Sequence, residues 1–173
     1  MRIDTDRSTD LPVEEGDGDV VVRRLLAGDL DAVIRVDERI TGRRRAEYFR
    51  LKLNESLADT GIRVSLAAET GGIFAGYLLS RVYYGEFGTL EPVAVLDTIG
   101  VHPDFQGRGL GTAMLSQLLL DLRALNVTTL QTQVTWDAPR LMIFFQHEGF
   151  RPASRICLDR DVNLPGPSRG GGA

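Results

Sequence analysis

Residues 101–111 decide the fold and read Val101-His102-Pro103-Asp104-Phe105-Gln106-Gly107-Arg108-Gly109-Leu110-Gly111. A strand-like run at 93–101 leads into this stretch, and a long apolar helix is predicted to begin near Gly109. Three glycines at alternate positions leave the backbone uncovered where that helix starts. The first N–H groups of a helix have no partner within it, and the aligned peptide dipoles make that end electropositive. The stretch therefore predicts a site for a phosphate-bearing cofactor at residues 106–111.

The composition indicates one soluble domain whose folded part is close to neutral. The chain has 173 residues, of which 43% are hydrophobic and 25% charged, with a net charge of −4. Residues 1–19 alone carry −5, which leaves +1 for the rest of the chain and excludes a general nucleic-acid binder. We expect residues 1–19 to be a disordered acidic leader, 20–161 to form the domain and 162–173 to be a disordered Gly/Pro-rich tail.

The cysteine content and the lack of long apolar segments indicate the cellular compartment. Cys157 is the only cysteine and cannot form an internal disulfide, which favours a reducing compartment. We expect it to be a small buried hydrophobe in a final strand. No signal core and no apolar span of membrane length occurs, so a cytoplasmic protein without membrane partners is predicted. Lys52 is the only lysine beside 19 arginines, a skew that we attribute to a GC-rich genome.

Hydrophobic periodicity predicts alternating strands and helices. Strands are predicted at 20–25, 62–68, 73–84, 93–101, 127–134 and 155–160. Helices are predicted at about 28–39, 43–57, 109–125 and 139–148, and Asp37 falls on the inner side of the first. A hairpin turn is predicted at 69–72 and a loop at 85–92. The sum is an α/β domain with one mixed sheet and helices on its faces.

The glycine spacing alone does not name the cofactor. The turn is not a P-loop, because no Gly-Lys-Ser/Thr follows at the required spacing. It is also a poor dinucleotide fingerprint, since Gly107, Gly109 and Gly111 give G-x-G-x-G after a hairpin. An interpretation in which the glycines only turn the chain tightly stays open at this point.

The setting of the turn narrows these alternatives. Residues 101–111 resemble the acetyl-CoA-binding motif of the GNAT superfamily of N-acetyltransferases, whose pattern is Gln/Arg-x-x-Gly-x-Gly/Ala. Phe145-x-x-x-Gly149-Phe150 resembles the family's aromatic-x-x-x-Gly-Phe ending, and the order of elements agrees over residues 20–160. The resemblance implies a GNAT-like fold, with a central mixed sheet of about six or seven strands flanked by about four helices.

The resemblance also implies acetyl-CoA as cosubstrate, and we expect no metal. Pantetheine is expected along exposed backbone of the motif strand, and the pyrophosphate on the amides of the glycine turn. Arg108 either adds charge there or simply faces solvent. The implied cofactor-binding residues are Ile99, Gly100, Val101, Gln106, Gly107, Arg108, Gly109, Leu110, Gly111, Thr112 and Phe145.

Acetyl transfer to an aliphatic amine needs a group that removes a proton, and a carboxylate is the usual one. Asp97 is the first candidate, because it lies in an otherwise apolar strand, counted in phase with Val95, Ile99 and Val101. The alternative, an Asp97 held by backbone or arginine partners, stays open. Further catalytic candidates are Glu91, Glu86, Tyr84 and Tyr83.

Phe145 departs from the family pattern, because a tyrosine commonly stands there and is proposed to protonate the departing thiolate. Either the thiolate leaves without that proton, or Tyr83 or Tyr84 substitutes, or turnover is low. The predicted function is transfer of an acetyl group from acetyl-CoA to a primary amine by direct attack in a ternary complex, with a small-molecule acceptor. The alternatives are an acetyl-CoA-binding regulatory or interaction module and a protein lysine or N-terminal acetyltransferase, and a homodimer is compatible with each.

Overall fold

The computed structural model describes residues 19–57, 64–84 and 90–163. The predicted leader apart from Asp19, the tail beyond residue 163, the start of the predicted strand 62–68 and Glu86 lie outside the described residues. The chain divides into two compact units, residues 1–133 and 134–173.

The first unit is built on a mixed sheet of five strands in the order β1-β2-β3-β4-β5. The pairs β1–β2, β2–β3 and β3–β4 are antiparallel, and the pair β4–β5 is parallel. The strands are β1 (Val20–Arg24), β2 (Leu66–Thr70), β3 (Ile73–Tyr83), β4 (Val93–Val101) and β5 (Thr129–Thr132). The predicted mixed sheet is confirmed, with five strands in the described part of the chain in place of six or seven.

The four predicted helices are confirmed, with ends that differ by a few residues. They are α1 (Leu30–Thr41), α2 (Ala46–Leu57) and α3 (Leu110–Ala124) in the first unit and α4 (Pro139–His147) in the second. α1 ends because Gly42 takes a left-handed φ of 69°, and its N–H donates to the carbonyl of Glu38 at 2.9 Å. This C-cap separates α1 from α2.

Apolar side chains cover both faces of the sheet. On one face, a core cluster joins Val33 and Val36 of α1 and Phe49 of α2 to Tyr77 and Leu79 of β3. On the other face lies α3, whose buried residues are Leu110, Met114, Leu115, Leu118 and Leu122. A Cβ atom built at Gly76 would stand 3.0 Å from Met114 Cε, so α3 packs closely on β3.

β4 contains one extra residue, Asp97, relative to β3. Leu79 pairs with Thr98 and Ser80 with Leu96, so the register skips Asp97. An extra residue changes the phase of a strand. Thr98 and Gly100 therefore face α1 and α2 with Val95, whereas Ile99 and Val101 face α3 with Leu96. The prediction that Asp97 is in phase with Ile99 and Val101 is wrong, because the alternate-residue count passes through this bulge.

The second unit contains α4 and a segment without regular structure. Pro139 lies in the first turn of α4, and Gly149 follows its end with a φ of 84°, the usual arrangement. The predicted strand 155–160 is wrong, since residues 151–160 contain no strand and are exposed. Cys157 is likewise exposed and not buried. Alternating apolar residues such as Ile156 and Leu158 form a strand only beside a partner ladder, and the described sheet contains no strand that pairs with them.

Candidate active site

The glycine turn, residues 106–111, joins the end of β4 to the start of α3. A single 3-10 turn, Pro103–Phe105, leads into it, and the side chain of His102 accepts a hydrogen bond from the Asp104 N–H at 3.3 Å. Gln106 Nε2 donates to the carbonyl of Val101 at 3.1 Å. These two side chains fold the entrance of the turn against the end of β4.

Backbone conformation explains two of the glycines. Gly107 and Gly109 have φ values of 79° and 78°, in the left-handed region that favours glycine. A Cβ atom at either position would meet nothing within 4 Å, so the space in front of both is open. Gly109 caps α3 without a side-chain hydrogen bond, and the first turn of α3 holds no acidic residue. The turn thus presents the positive end of a 15-residue helix to an incoming anion.

β4 extends beyond its parallel partner. Pairing with β5 ends at Leu96 and Thr132, and Thr132 Oγ1 donates to the Leu96 carbonyl at 2.9 Å. We call this point the fork. Residues 98–101 continue to pair with β3 on their other side, so their β5 side forms an open edge within the described sheet. Such an edge can pair with an amide-bearing chain.

Asp97 lies at the fork and binds two cations. Its Oδ2 is 3.2 Å from Lys52 Nζ of α2 and 3.2 Å from a guanidinium nitrogen of Arg81 of β3. The Asp97 side chain is 20% exposed, and Lys52 Nζ also lies 5.9 Å from the ring centroid of Tyr48. We call Lys52, Arg81 and Asp97 the fork charge cluster. These ion pairs agree with the alternative in which Asp97 is held by cationic partners. They also leave a catalytic role open, because they orient a carboxylate that solvent still reaches.

A buried hydrogen-bond network lies beneath the open edge. Asp37 of α1 is 1% exposed and accepts hydrogen bonds from Arg45 Nε at 2.8 Å and Tyr77 Oη at 3.0 Å. The Tyr77 ring lies over Gly100, where a Cβ atom would stand 2.7 Å from Tyr77 Cε1 and 2.9 Å from Ile40 Cδ1. Burial, and then the Asp37 charge, raise the pKa of Tyr77 well above its ordinary value, so the hydroxyl stays a neutral donor.

Sequence reasoning missed the partners of both carboxylates. A charged residue on the inner side of an amphipathic helix signals that a cation or donor must reach it, and Asp37 carried that signal. It did not reveal that Arg45 and Tyr77 are the partners. At the fork, the corresponding signal in the sequence was that Lys52 is the only lysine of the chain.

Two other predicted catalytic residues lie near the start of β4. Tyr84 is 60% exposed and follows β3, and Glu91 is exposed and precedes β4. Tyr83 pairs with Val93, and the strand from Val93 to Asp97 spans roughly 13 Å at 3.3 Å per residue. The structure therefore brings Lys52 and Arg81 to Asp97. It places Tyr84 and Glu91 near the start of β4, away from Asp97.

The remaining predicted cofactor residues divide between the two units. Arg108 is exposed with its guanidinium 5.3 Å from the Phe105 ring centroid, Leu110 is buried, and Gly111 and Thr112 lie in the first turn of α3. Phe145 belongs to the second unit, where its ring packs 4.9 Å from Phe150 and 5.3 Å from Phe144.

Two absences concern only residues 19–57, 64–84 and 90–163. Within these ranges, no three or more His, Cys, Asp or Glu side chains are grouped to hold a metal ion. No helix there combines the length and apolar content needed to cross a bilayer.

The sequence matches the acetyltransferase (GNAT) family over residues 31–150, a range that includes the glycine turn, the fork and the buried network. It is also 33% identical over 57 residues to the uncharacterized N-acetyltransferase ycf52 of Gracilaria tenuistipitata var. liui. That alignment covers 33% of this chain and 30% of the relative, so the chain spans less than a third of that protein's length.

Solved structures share the fold at low identity. The aminoglycoside N-acetyltransferase AAC(6')-Iy in complex with CoA superimposes with a TM-score of 0.69 and 16% identity, covering 84% of this chain and 96% of that one. The ribosomal-protein-S18-alanine N-acetyltransferase of Escherichia coli gives 0.64 and 22%, covering 78% and 79%. Since the family match spans well over half of the sequence, this chain belongs to the acetyltransferase (GNAT) family.

Proposed function

We propose that the protein transfers an acetyl group from acetyl-CoA to a primary amine, by direct attack in a ternary complex. One observation carries the proposal: the open edge of β4 leads, through one 3-10 turn and the glycine turn, to the start of α3, whose N-cap Gly109 makes no side-chain hydrogen bond. The two features offer two neighbouring stretches of backbone to one ligand. Its first part offers peptide groups to a linear amide chain, and its second part offers N–H groups and a positive dipole to phosphate oxygens.

This surface fits the chemistry of acetyl-CoA. Peptide groups of Ile99, Gly100 and Val101 would hold the pantetheine amides. Amides of the glycine turn and the first turn of α3 would hold the pyrophosphate, with Arg108 beside them. When bound, acetyl-CoA supplies an activated thioester. The protein's own contribution is then to hold two reactants together, which is worth roughly 7–11 kcal/mol in favourable cases.

Asp97 is the proposed proton acceptor. An amine bound as an ammonium has no lone pair and must lose a proton before it attacks. The Asp97 carboxylate lies at the fork, where β4 leaves β5, and its two ion pairs hold it in a fixed orientation. Glu91 and Tyr84 would act farther along the strand, where an acceptor enters.

Phe145 carries no hydroxyl and cannot protonate the departing thiolate. A thiol with a pKa of about 8.5 makes a tolerable leaving group without such a donor. Water, Tyr83 or Tyr84 would then supply the proton after departure. The same phenylalanine supports the second candidate function, an acetyl-CoA-binding regulatory or interaction module with little turnover.

The acceptor is proposed to be a small-molecule amine, in a cytoplasmic setting. Fold relatives include one enzyme named for aminoglycosides and one named for a ribosomal protein, so both small and protein acceptors occur on this fold. A protein lysine or N-terminal amine is therefore the alternative acceptor.

Two measurements on the full chain test the proposal. Calorimetry should show saturable acetyl-CoA binding, and thiol release should rise above hydrolysis with at least one member of a panel of small amines and peptides. Binding without release for any acceptor would favour the binding module. Release with peptides alone would favour the protein acetyltransferase, and an absence of binding would overturn the site assignment.

A further inference from the structure

The only lysine of the chain, Lys52, forms an ion pair with Asp97, the carboxylate that we propose as the proton acceptor. Arginine occupies the other 19 basic positions, whereas Lys52 places its Nζ 3.2 Å from Asp97 Oδ2. An acceptor amine would have to approach the same carboxylate. The chain thus carries an internal primary amine at the place where the proposed reaction needs an external one.

Lysine and arginine differ in a way that matters here. Either side chain can form an ion pair with a carboxylate, and Arg81 does so on the same oxygen. A guanidinium stays protonated and is not a nucleophile, whereas the amine of a lysine becomes one once it loses a proton. The one basic side chain of this chain that can become such a nucleophile on losing a proton, Lys52, lies at the fork.

We propose that Lys52 is a self-acetylation site, at which Nζ takes the acetyl group from acetyl-CoA bound along the open edge of β4. The proposal rests on the proposed function, because it uses the same cosubstrate site. The side chain of Lys52 is 21% exposed, so bulk reagents reach it less readily than a fully exposed amine.

The step balances without a further reactant. Asp97 Oδ2 takes a proton from the Lys52 ammonium and passes it to solvent. Nζ then forms a bond to the acetyl carbon, the carbon–sulfur bond breaks, and the proton that Nζ loses on becoming an amide passes through water to the departing CoA thiolate. The products are an amide at Lys52 and free CoA thiol.

Acetylation would remove one of the two cations from the fork charge cluster. An amide at Lys52 has no positive charge, so Asp97 would keep its ion pair with Arg81 and lose the one from α2. The carboxylate would then be more available to an external ammonium. Self-acetylation therefore prepares the fork for an acceptor.

The test incubates the full chain with acetyl-CoA and no acceptor, and follows the intact mass and the peptide map over time. The expected result is a gain of one acetyl group on Lys52, which the map distinguishes from the N-terminal amine. The Lys52→Arg variant keeps the cation and should show no such gain. Asp97→Asn should slow the labelling of Lys52.

A relocated lysine provides the matched control. Arg50 lies two residues away in α2, with a side chain that is 52% exposed. The double variant Arg50→Lys, Lys52→Arg has the same number of lysines, and its label should appear at least about tenfold more slowly than that of the parent. Equal rates would mean chemical acetylation by the thioester alone and would overturn the proposal.

Failure of this proposal is distinguishable from failure of the proposed function. Saturable acetyl-CoA binding in calorimetry without an acetyl group on Lys52 would overturn self-acetylation and leave the proposed function standing. An absence of binding would overturn both.

Discussion

The glycine turn and the fork charge cluster adjoin the same strand but are built in different ways. The turn is made of consecutive residues, and its shape comes from backbone dihedral angles at Gly107 and Gly109. The cluster is made of side chains from α2, β3 and β4, and its Lys52 and Asp97 are 45 residues apart in sequence. A site of the first kind can be recognised in a short motif, whereas a site of the second kind exists only after the fold has formed.

The largest expected effect tests the side-chain half of this comparison. Asp97→Asn should lower kcat by about 100- to 10,000-fold, because the amide cannot accept the proton of the amine. The affinity for acetyl-CoA should stay unchanged. Steady-state kinetics and calorimetry measure the two quantities separately.

Glu69→Gln is the control for that variant. Glu69 is also a strand carboxylate bound to an arginine, since Arg23 Nε donates to it at 2.8 Å. If both variants lose turnover to the same degree, the effect of Asp97→Asn comes from a lost ion pair and Asp97 leaves the mechanism.

The second-largest expected effect tests the glycine turn, whose shape comes from its backbone. Gly109→Glu should weaken acetyl-CoA binding by at least about 100-fold, or about 2.7 kcal/mol, because it places a negative charge at the phosphate turn and strains a left-handed residue. Calorimetric titration measures the dissociation constant.

Gly72→Glu provides the same backbone strain elsewhere. Gly72 has a φ of 75° at the β2–β3 hairpin, and a Cβ atom there would also meet nothing within 4 Å. This variant should lose stability but keep its affinity. Equal loss of affinity in both would show that the turn does not hold the cofactor.

A smaller effect is expected where the two regions share β4. Gly100→Ala should lower the free energy of unfolding by about 1–3 kcal/mol, because its Cβ would stand 2.7 Å from the Tyr77 ring. Gly28→Ala is the control, since a Cβ there meets nothing within 4 Å. Chemical denaturation of both variants should separate them, and equal stabilities would contradict the close packing of Tyr77 on β4.

The smallest effect concerns an ion pair outside both regions. Hydrogen bonds from Arg23 lower the pKa of Asp29 below its ordinary value of 3.8. The folded state then binds this proton less readily than the unfolded state, so the stabilisation is present above about pH 4 and is lost as the pH falls through the lowered pKa.

Asp29→Asn should therefore cost about 1–2 kcal/mol at neutral pH and flatten the loss of stability on the acid side. Denaturation at a series of pH values checks this. The affinity for acetyl-CoA at neutral pH should not change, which would separate charges that only stabilise the fold from those at the fork. An unchanged acid profile would show that the ion pair contributes nothing.

The local part of the structure was predictable from sequence. β4, the glycine turn and α3 follow one another with clear changes of period, and Pro139 and Gly149 mark the ends of α4. The family motif then pointed to a cofactor at this turn. These features depend on neighbours in the chain, which the sequence displays directly.

The non-local part was not predictable. The bulge at Asp97 depends on pairing with β3, so counting alternate residues along β4 assigned Ile99 and Val101 to the wrong face. The alternating segment 155–160 had the pattern of a strand, but a strand also needs a partner. Neither the Arg45 and Tyr77 bonds to Asp37 nor the Lys52 bond to Asp97 leaves a mark in local periodicity.

The bulge makes position 97 important for a reason unrelated to its carboxylate. A substitution of Asp97 leaves the register of the strand unchanged, so Thr98 and Gly100 still face α1 and α2. Deletion of this single codon would restore an unbroken ladder in which Leu79 still pairs with Thr98 and Ser80 with Leu96, so residues 98–101 would keep their present faces. Gly100 would stay on the Tyr77 side of the sheet, and Ile99 on the α3 side. The strand can therefore lose one residue at position 97 without being rebuilt, whereas a deletion within residues 98–101 would turn over the part of β4 that follows it.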